Sequence, residues 1–241
     1  LNPEKEVLVP SVAGCSLADS ITVDQVRALR KMYPQAGVAC YVNTYAEIKA
    51  ESDVCVTSSN VVDVVEAMPQ DEIIFIPDKL MGQNLRTMTS KKIITWEGTC
   101  IVHEGFNEES VKDIRQRFPD VKILAHPECT PGVVSLVDYA GGTSGMLNYV
   151  KKSPAKTFML VTECGLTDRF KAEFQNKEIV GTCILCPYMK EIKLEDVLKA
   201  LKDPDPRQYV EIDPAIADRA RASLDKMFEL EKLAKRQMAT G

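Results

Sequence analysis

Apolar residues recur along this chain in short unbroken runs, each preceded or followed by an amphipathic stretch of helical period. The runs near residues 37–42, 53–57 and 72–76, with Lys92-Ile93-Ile94 after them, have the length and the Val/Ile/Phe content of buried parallel strands. Stretches near 23–33, 45–51, 59–68 and 80–89 space their apolar positions as helices do. Strands alternating with helices across short Pro/Gly/Asn loops predict a parallel sheet with right-handed crossovers and helices on both faces. Near the start, Glu6-Val7-Leu8-Val9-Pro10 reads as a strand entered in mid-fold, and Leu1 is not an initiator Met, so further sequence is expected upstream.

The pattern then repeats. Residue i laid over residue i+85 places Val26 and Arg30 on Val111 and Arg115, Pro34 on Pro119, and Val38-Ala39-Cys40-Tyr41 on Ile123-Leu124-Ala125-His126. Asp53 falls on Asp138, Ser58-Ser59-Asn60 on Thr143-Ser144-Gly145, and Ile74-Phe75-Ile76-Pro77-Asp78 on Met159-Leu160-Val161-Thr162-Glu163. A fixed period of this length marks a repeated supersecondary unit. The expected fold is α/β: three-layer α/β/α units with small parallel sheets in pseudo-threefold arrangement, two complete and a third incomplete. The boundaries are 1–15 as a remnant of a first unit, 16–100 as the second, 101–186 as the third, and 187–241 as a C-terminal segment packing on the first. That last segment carries a helix near 194–203, a strand near 208–212 and a long helix from Pro214 to about Arg236.

Composition removes several function classes. A net charge of −5 gives no basic stripe for nucleic acid, and no apolar run reaches the roughly 18 residues that span a bilayer. Without a charged–apolar–small signal at the start, a cytoplasmic location is expected. Eight cysteines in such a chain read as free thiols or metal ligands rather than as a disulfide framework.

Three of those cysteines punctuate the repeat. Cys15, Cys100 and Cys186 lie 85 and 86 residues apart in similar loops, Ala13-Gly14-Cys15, Gly98-Thr99-Cys100 and Cys183-Ile184-Leu185-Cys186-Pro187. Units arranged about one axis would bring the three sulfurs together, and three thiolates suit a soft metal centre. A [4Fe–4S] cluster normally takes four cysteines, so three would leave one iron open. Three unrelated buried cysteines also fit the spacing. Cys183-x-x-Cys186 alone is compatible with a redox dithiol or half a zinc site, although His103 and His126 do not fall at zinc-finger spacing.

Ligands of open α/β sheets sit beyond the carboxyl ends of the strands, where this sequence places Tyr41-Val42-Asn43 and, one repeat later, His126-Pro127-Glu128. His126 and Glu128 make a reasonable acid–base pair; a structural imidazole is the alternative for His126. Ser58-Ser59-Asn60 and Thr143-Ser144-Gly145 each open a helix, as an anion site or as ordinary N-caps. Asp78 and Glu163 end the third strands as caps or as site carboxylates.

At these residues the sequence resembles the quinolinate synthase family. The segments that carry the resemblance, in the family's order, are Ala13-Gly14-Cys15-Ser16-Leu17-Ala18-Asp19, Tyr41-Val42-Asn43-Thr44 with Ala46-Glu47-Ile48-Lys49-Ala50, and Val56-Thr57-Ser58-Ser59-Asn60. Trp96-Glu97-Gly98-Thr99-Cys100-Ile101-Val102-His103, His126-Pro127-Glu128-Cys129, Gly142-Thr143-Ser144-Gly145-Met146 and Cys186-Pro187-Tyr188-Met189-Lys190 follow. The resemblance covers nearly the whole chain. It implies three α/β/α domains around a [4Fe–4S] cluster bound by Cys15, Cys100 and Cys186, and a transferase that condenses iminoaspartate with dihydroxyacetone phosphate to quinolinate, phosphate and water in NAD biosynthesis. It also implies that Tyr41 and Asn43 contact substrate, with Tyr41 assisting proton transfer. Glu128 would be the general base with His126 beside it, and Ser58 and Thr143 would hold phosphate or carboxylate groups. The partners are those two small substrates, with contact to the enzyme supplying iminoaspartate, and neither nucleic acid nor membrane. One departure stands out: the family begins with a further segment bearing a His and a hydroxyl residue of the pocket. Two other functions are kept open, a non-catalytic fragment and a thiol redox protein using Cys183 and Cys186.

Overall fold

The computed structural model describes residue 2, residues 4–11 and residues 13–240; Leu1, at the expected upstream junction, lies outside the described residues. The unit within residues 16–100 runs α1 (Val23–Met32), β1 (Gly37–Tyr41), α2 (Ala46–Ala50), β2 (Val54–Val56), α3 (Val61–Ala67), β3 (Glu72–Ile76), α4 (Lys79–Leu85) and β4 (Lys92–Thr95). The unit within residues 101–186 runs α5 (Glu108–Arg117), β5 (Lys122–Ala125), α6 (Pro131–Val134), β6 (Tyr139–Ala140), α7 (Thr143–Lys152), β7 (Thr157–Val161), α8 (Cys164–Glu173) and β8 (Glu178–Ile179). α9 (Leu194–Lys202) and α10 (Pro214–Thr240) complete the chain. No helix of the described residues is long and apolar enough to cross a membrane.

Each unit builds one four-stranded parallel sheet, in the orders β2-β1-β3-β4 and β6-β5-β7-β8. The apolar runs form strands because both of their faces are covered. On the first sheet Ala39, Tyr41, Ile73 and Phe75 pack into one core layer, while Val38, Cys40, Ile74 and Ile76 pack into the other. Ile123 and Met159 likewise separate from Leu124 and Leu160 on the second sheet. This is the period-two alternation of a strand buried on both sides.

The 85-residue repeat holds down to single hydrogen bonds. The Asp53 carboxylate accepts the Val38 N–H at 2.7 Å and an Arg30 guanidinium N–H at 2.8 Å. Asp138 does the same for Ile123 and Arg115, both at 3.0 Å. Each aspartate satisfies the orphan donor at the start of the first strand of its sheet and is held there by the helix before it.

Residues 187–241 do not form one layer. Val7–Val9 meet residues 208–210 through an antiparallel bridge, Leu8 with Tyr209, flanked by Val9 N–H to Gln208 O at 2.8 Å and Val210 N–H to Val7 O at 2.9 Å. The strands expected near 6–10 and 208–212 are therefore reduced to a single bridge, because each finds only the other as a partner. The long helix expected from Pro214 onward lies on residues 16–100. α10 contacts α2, α3 and β2, and its Met227 and Leu230 join the core of Val54, Val56 and Val61. Its apolar stripe covers the sheet face that α1 leaves bare.

One buried side chain joins the two units. Asn84 Nδ2, on α4, donates to the carbonyls of Pro127 at 2.7 Å and Cys129 at 2.8 Å, fixing the loop after β5. An Asn84→Ala variant leaves both carbonyls without a protein partner in the interior. It should lose about 2 kcal/mol or more of unfolding free energy, read as a lower urea midpoint at unchanged m.

Candidate active site and metal centre

The central strands β1, β3, β5 and β7 stay buried to their ends, so polar groups collect where these strands stop. In the orders 2-1-3 and 6-5-7, chain crossovers leave for opposite faces between the two central strands, which opens a crevice at their carboxyl ends. Tyr41 ends β1 and Asn43 lies after it, with Asp78 after β3; His126 and Glu128 lie after β5, and Thr162 and Glu163 after β7. The two crevices open onto one cavity of about 430 Å³. Cys15, Tyr41, Asn43, Cys100, His126, Glu128, Thr143 and Cys186 all line it, together with His103, Thr162, Glu163 and Arg169. Ser58 is not in the lining. It sits behind, facing the Tyr41 hydroxyl, and a Cβ at Gly142 would come within 2.7 Å of its Oγ. A larger depression of about 830 Å³ runs along α5, but its walls are solvated Glu, Lys, Asp and Arg side chains with no buried titratable group.

The three cysteines reach the cavity by one local device. The carbonyls of Cys15, Cys100 and Cys186 accept the N–H of the residue four places on: Asp19 at 2.9 Å, Glu104 at 3.0 Å and Lys190 at 3.2 Å. Each cysteine thus opens a single helical turn. The first two loops are tied together by Ser16 Oγ, which donates to Thr99 O at 3.1 Å and accepts the Ile101 N–H at 3.3 Å. The third is held by Glu163, which accepts the Cys186 N–H at 3.3 Å while its other oxygen takes the Gly165 N–H at 2.5 Å and caps α8. All three thiols are free and half-buried. Three sulfur donors on one cavity, with no fourth cysteine lining it, fit an iron–sulfur cluster better than a disulfide or a hard oxygen-ligated ion. Cys183 is bonded to Cys164, at an S–S distance of 2.09 Å, rather than paired with Cys186. That corrects the expected dithiol: residues 183 and 164 are neighbours because the loop before Cys186 bridges to the end of β7 through Glu163 and Ile184.

Around the sulfurs lies a buried proton network. Glu128, 3 % exposed, receives His103 Nδ1–H at 2.9 Å and lies 3.4 Å from His126 Nδ1. His103 Nδ1 is also 3.2 Å from Cys100 Sγ, its Nε2 is 2.9 Å from Thr162 Oγ1, and its ring stacks on His126 with centroids 4.7 Å apart. Burial opposes the charge on Glu128, but the His103 hydrogen bond, the imidazole charges and the Tyr41 hydroxyl outweigh it and hold the group down at about 2. Burial lowers His126 to about 4, so its ring is neutral, and Nδ1 accepts the Glu128 N–H at 3.4 Å. Burial and then the charge of Glu128 raise Tyr41 well above its ordinary value. The same two causes push Asp78 up to about 8. Its Oδ1 caps α4 by accepting the Met81 N–H at 2.8 Å, while Oδ2 is buried with no partner. One carboxyl is therefore ionised and its neighbour protonated, the separation that divides base from acid.

The alternative roles sort themselves by geometry. Asp78 and Glu163 are helix caps that also face the site. Neither α3 nor α7 has a side-chain N-cap, so Ser58 and Thr143 are not ordinary caps, and the first N–H groups of α7 stand free beside Thr143. Sequence reasoning passed over His103 and Thr162. A cysteine that opens a helical turn puts residue i+3 on its own face, so Cys100-x-x-His103 held the signal; Thr162 left none.

A family profile described as "Quinolinate synthetase A protein" matches residues 1–229. The chain is 46 % identical over 233 residues to the quinolinate synthase of Sinorhizobium fredii and 45 % identical over 233 residues to that of Sinorhizobium medicae, matching 96 % of this chain and 64 % of each relative. Quinolinate synthase 2 of Mesorhizobium japonicum is 43 % identical over 229 residues, 95 % of this chain and 70 % of the relative. The chain thus spans about 64 % of the length of the first two relatives.

The state of Asp78 has a measurable consequence. It keeps its proton to about pH 8 when folded but ionises near 3.8 when unfolded, so it contributes stability below the lower value that is lost as pH rises through the window. Stability relative to an Asp78→Asn variant should be flat below about pH 4 and then fall, by at most about 1.4 kcal/mol per pH unit, towards pH 8. Chemical unfolding of both proteins across that range checks it; a constant difference would remove the buried acid.

Proposed function

Because the chain belongs to the quinolinate synthetase A family, we propose that it forms the larger part of a quinolinate synthase of NAD biosynthesis, a transferase joining iminoaspartate to dihydroxyacetone phosphate. The observation that supports this most strongly is the meeting of three free thiols, each opening its own helical turn, on the cavity that also holds Tyr41, His126 and Glu128. In this reading Cys15, Cys100 and Cys186 hold a [4Fe–4S] cluster. When bound, that cluster supplies a Lewis-acidic iron left open by the three-cysteine ligation.

The chain's own residues provide binding and proton transfer. Free N–H groups at the start of α7, the Thr143 hydroxyl and the Arg169 guanidinium suit a substrate bearing carboxylates and a phosphate. Ser58 orients the Tyr41 hydroxyl from behind, and Asn43 offers an amide at the same strand end. Glu128, ionised and within a hydrogen bond of Tyr41 and His103, takes up a substrate proton as general base. Tyr41 passes a proton across the same short path. His126, neutral and stacked on His103, donates a hydrogen bond without adding charge. Asp78 keeps its proton so that two carboxylates do not repel each other across the site. The cytoplasm as location, and contact with the enzyme supplying iminoaspartate, belong to the same proposal.

A second reading, a fragment that binds ligand without turnover, is motivated by the 64 % coverage of the relatives. The thiol redox reading loses its dithiol to the Cys164–Cys183 bond. Anaerobic addition of iron and sulfide should give a brown protein with broad visible absorption, lost in Cys100→Ala. In the chain extended to the length of its relatives, Tyr41→Phe and Glu128→Gln should keep that absorption while turnover falls by about 10²–10⁴. A cluster that survives Cys100→Ala, or an extended chain that gives neither cluster nor quinolinate, refutes the reading; a cluster without quinolinate favours the fragment.

A further inference from the structure

The cavity holds a second donor set that shares only Cys100 with the three-cysteine centre. Cys100 Sγ, His103 Nδ1 and a Glu128 carboxylate oxygen all lie within 4.8 Å of one another. Two of the gaps are 3.2 Å, from Nδ1 to Sγ, and 2.9 Å, from Nδ1 to Oε2. We infer that, in the chain without its cluster, these three residues form a site for one borderline divalent ion of the zinc class, and that filling it excludes the cluster through the shared Cys100. The inference adds a separate metal mode to the proposed function and does not depend on turnover.

The chemistry of the donors favours such an ion. One thiolate, one imidazole and one carboxylate form the mixed sulfur, nitrogen and oxygen set that zinc accepts, whereas an iron–sulfur cluster is normally held by thiolates. Metal–ligand bonds of about 2.0–2.3 Å in tetrahedral array set the donors roughly 3.3–3.6 Å apart, so the two gaps at His103 Nδ1 need to open by about half an ångström or less, and the Sγ-to-carboxylate gap already lies within 4.8 Å. The cysteine and histidine stand three residues apart on one helical turn, a rigid chelate, and the cavity leaves the fourth position open.

The surroundings already hold these ligands as a metal would need them. Binding releases the thiol proton of Cys100, and the imidazole proton leaves Nδ1 for Nε2. There Thr162 Oγ1, 2.9 Å away, changes from donor to acceptor without moving. The Tyr41 hydroxyl faces the Glu128 carboxylate and donates to it. Partners of this kind fix the ring orientation and the basicity of ligands, and their loss typically costs roughly 10–100-fold in affinity.

Cobalt(II) chloride, titrated into the cluster-free chain under anaerobic conditions, is the probe. One Co²⁺ per chain should bind with thiolate-to-metal charge-transfer absorption and the strong visible bands of a four-coordinate ion, and zinc should displace it. Cys15→Ala and Cys186→Ala should keep this spectrum. His103→Ala and Glu128→Gln should weaken binding tenfold or more, and Thr162→Val by roughly 10–100-fold, with Thr162→Ser close to the parent. The threonine pair guards against a histidine variant that fails to fold. Iron and sulfide added to the zinc-loaded chain should yield no cluster until the zinc is chelated. The inference is overturned if the cobalt spectrum lacks thiolate charge transfer, disappears in Cys15→Ala or Cys186→Ala, or is unchanged in both His103→Ala and Glu128→Gln. Failure of the zinc-free chain to build a cluster would refute the proposed function and leave the cobalt result standing.

Discussion

A strand covered on both faces can carry a polar side chain only where it stops. That constraint governs this protein, because the central strands of both sheets are buried above and below, and every group with chemistry is displaced to the carboxyl ends or to the loops beyond them. Two sheets of the same strand order then make two crevices of the same shape, and Asn84 joins them by holding the loop after β5 from the neighbouring unit. Tyr41 and Glu128, far apart along the chain, face each other for this reason alone.

Confinement sets the electrostatics as well. A carboxylate 3 % exposed is costly unless hydrogen bonds replace the lost water. Glu128 has that replacement in His103 and Tyr41, and stays charged. Asp78 has only backbone donors at one oxygen and none at the other, and stays protonated. Two acids at the strand ends of different sheets are thus driven to opposite states by the donors each can reach.

The cysteines obey a different economy. Each opens one helical turn, so its carbonyl is satisfied locally and its sulfur is left free to face the cavity. What brings the third loop in is not local: Glu163 accepts the Cys186 N–H, and the Cys164–Cys183 bond closes the same loop onto α8. The sulfur of Cys100 also sits beside His103, so one of the three thiols lies within a second group of possible donors as well.

Much of the fold is legible in the sequence. The 85-residue period foretells two sheets of like order, and Asp53 and Asp138, matched only by position, make the same contacts. Apolar runs give the strands, and the spacing of Cys15, Cys100 and Cys186 singles out three thiols from eight. These features are readable because they arise from contacts close in sequence, stated twice. Tertiary packing alone decided the rest: α10 on the first sheet, the reduction of two expected strands to one bridge, the pairing of Cys183 with Cys164, and the ring of His103 between Glu128 and Thr162, 25 and 59 residues away. Such contacts form once, between segments that share no period, so the identity of either partner leaves no mark on the residues around it.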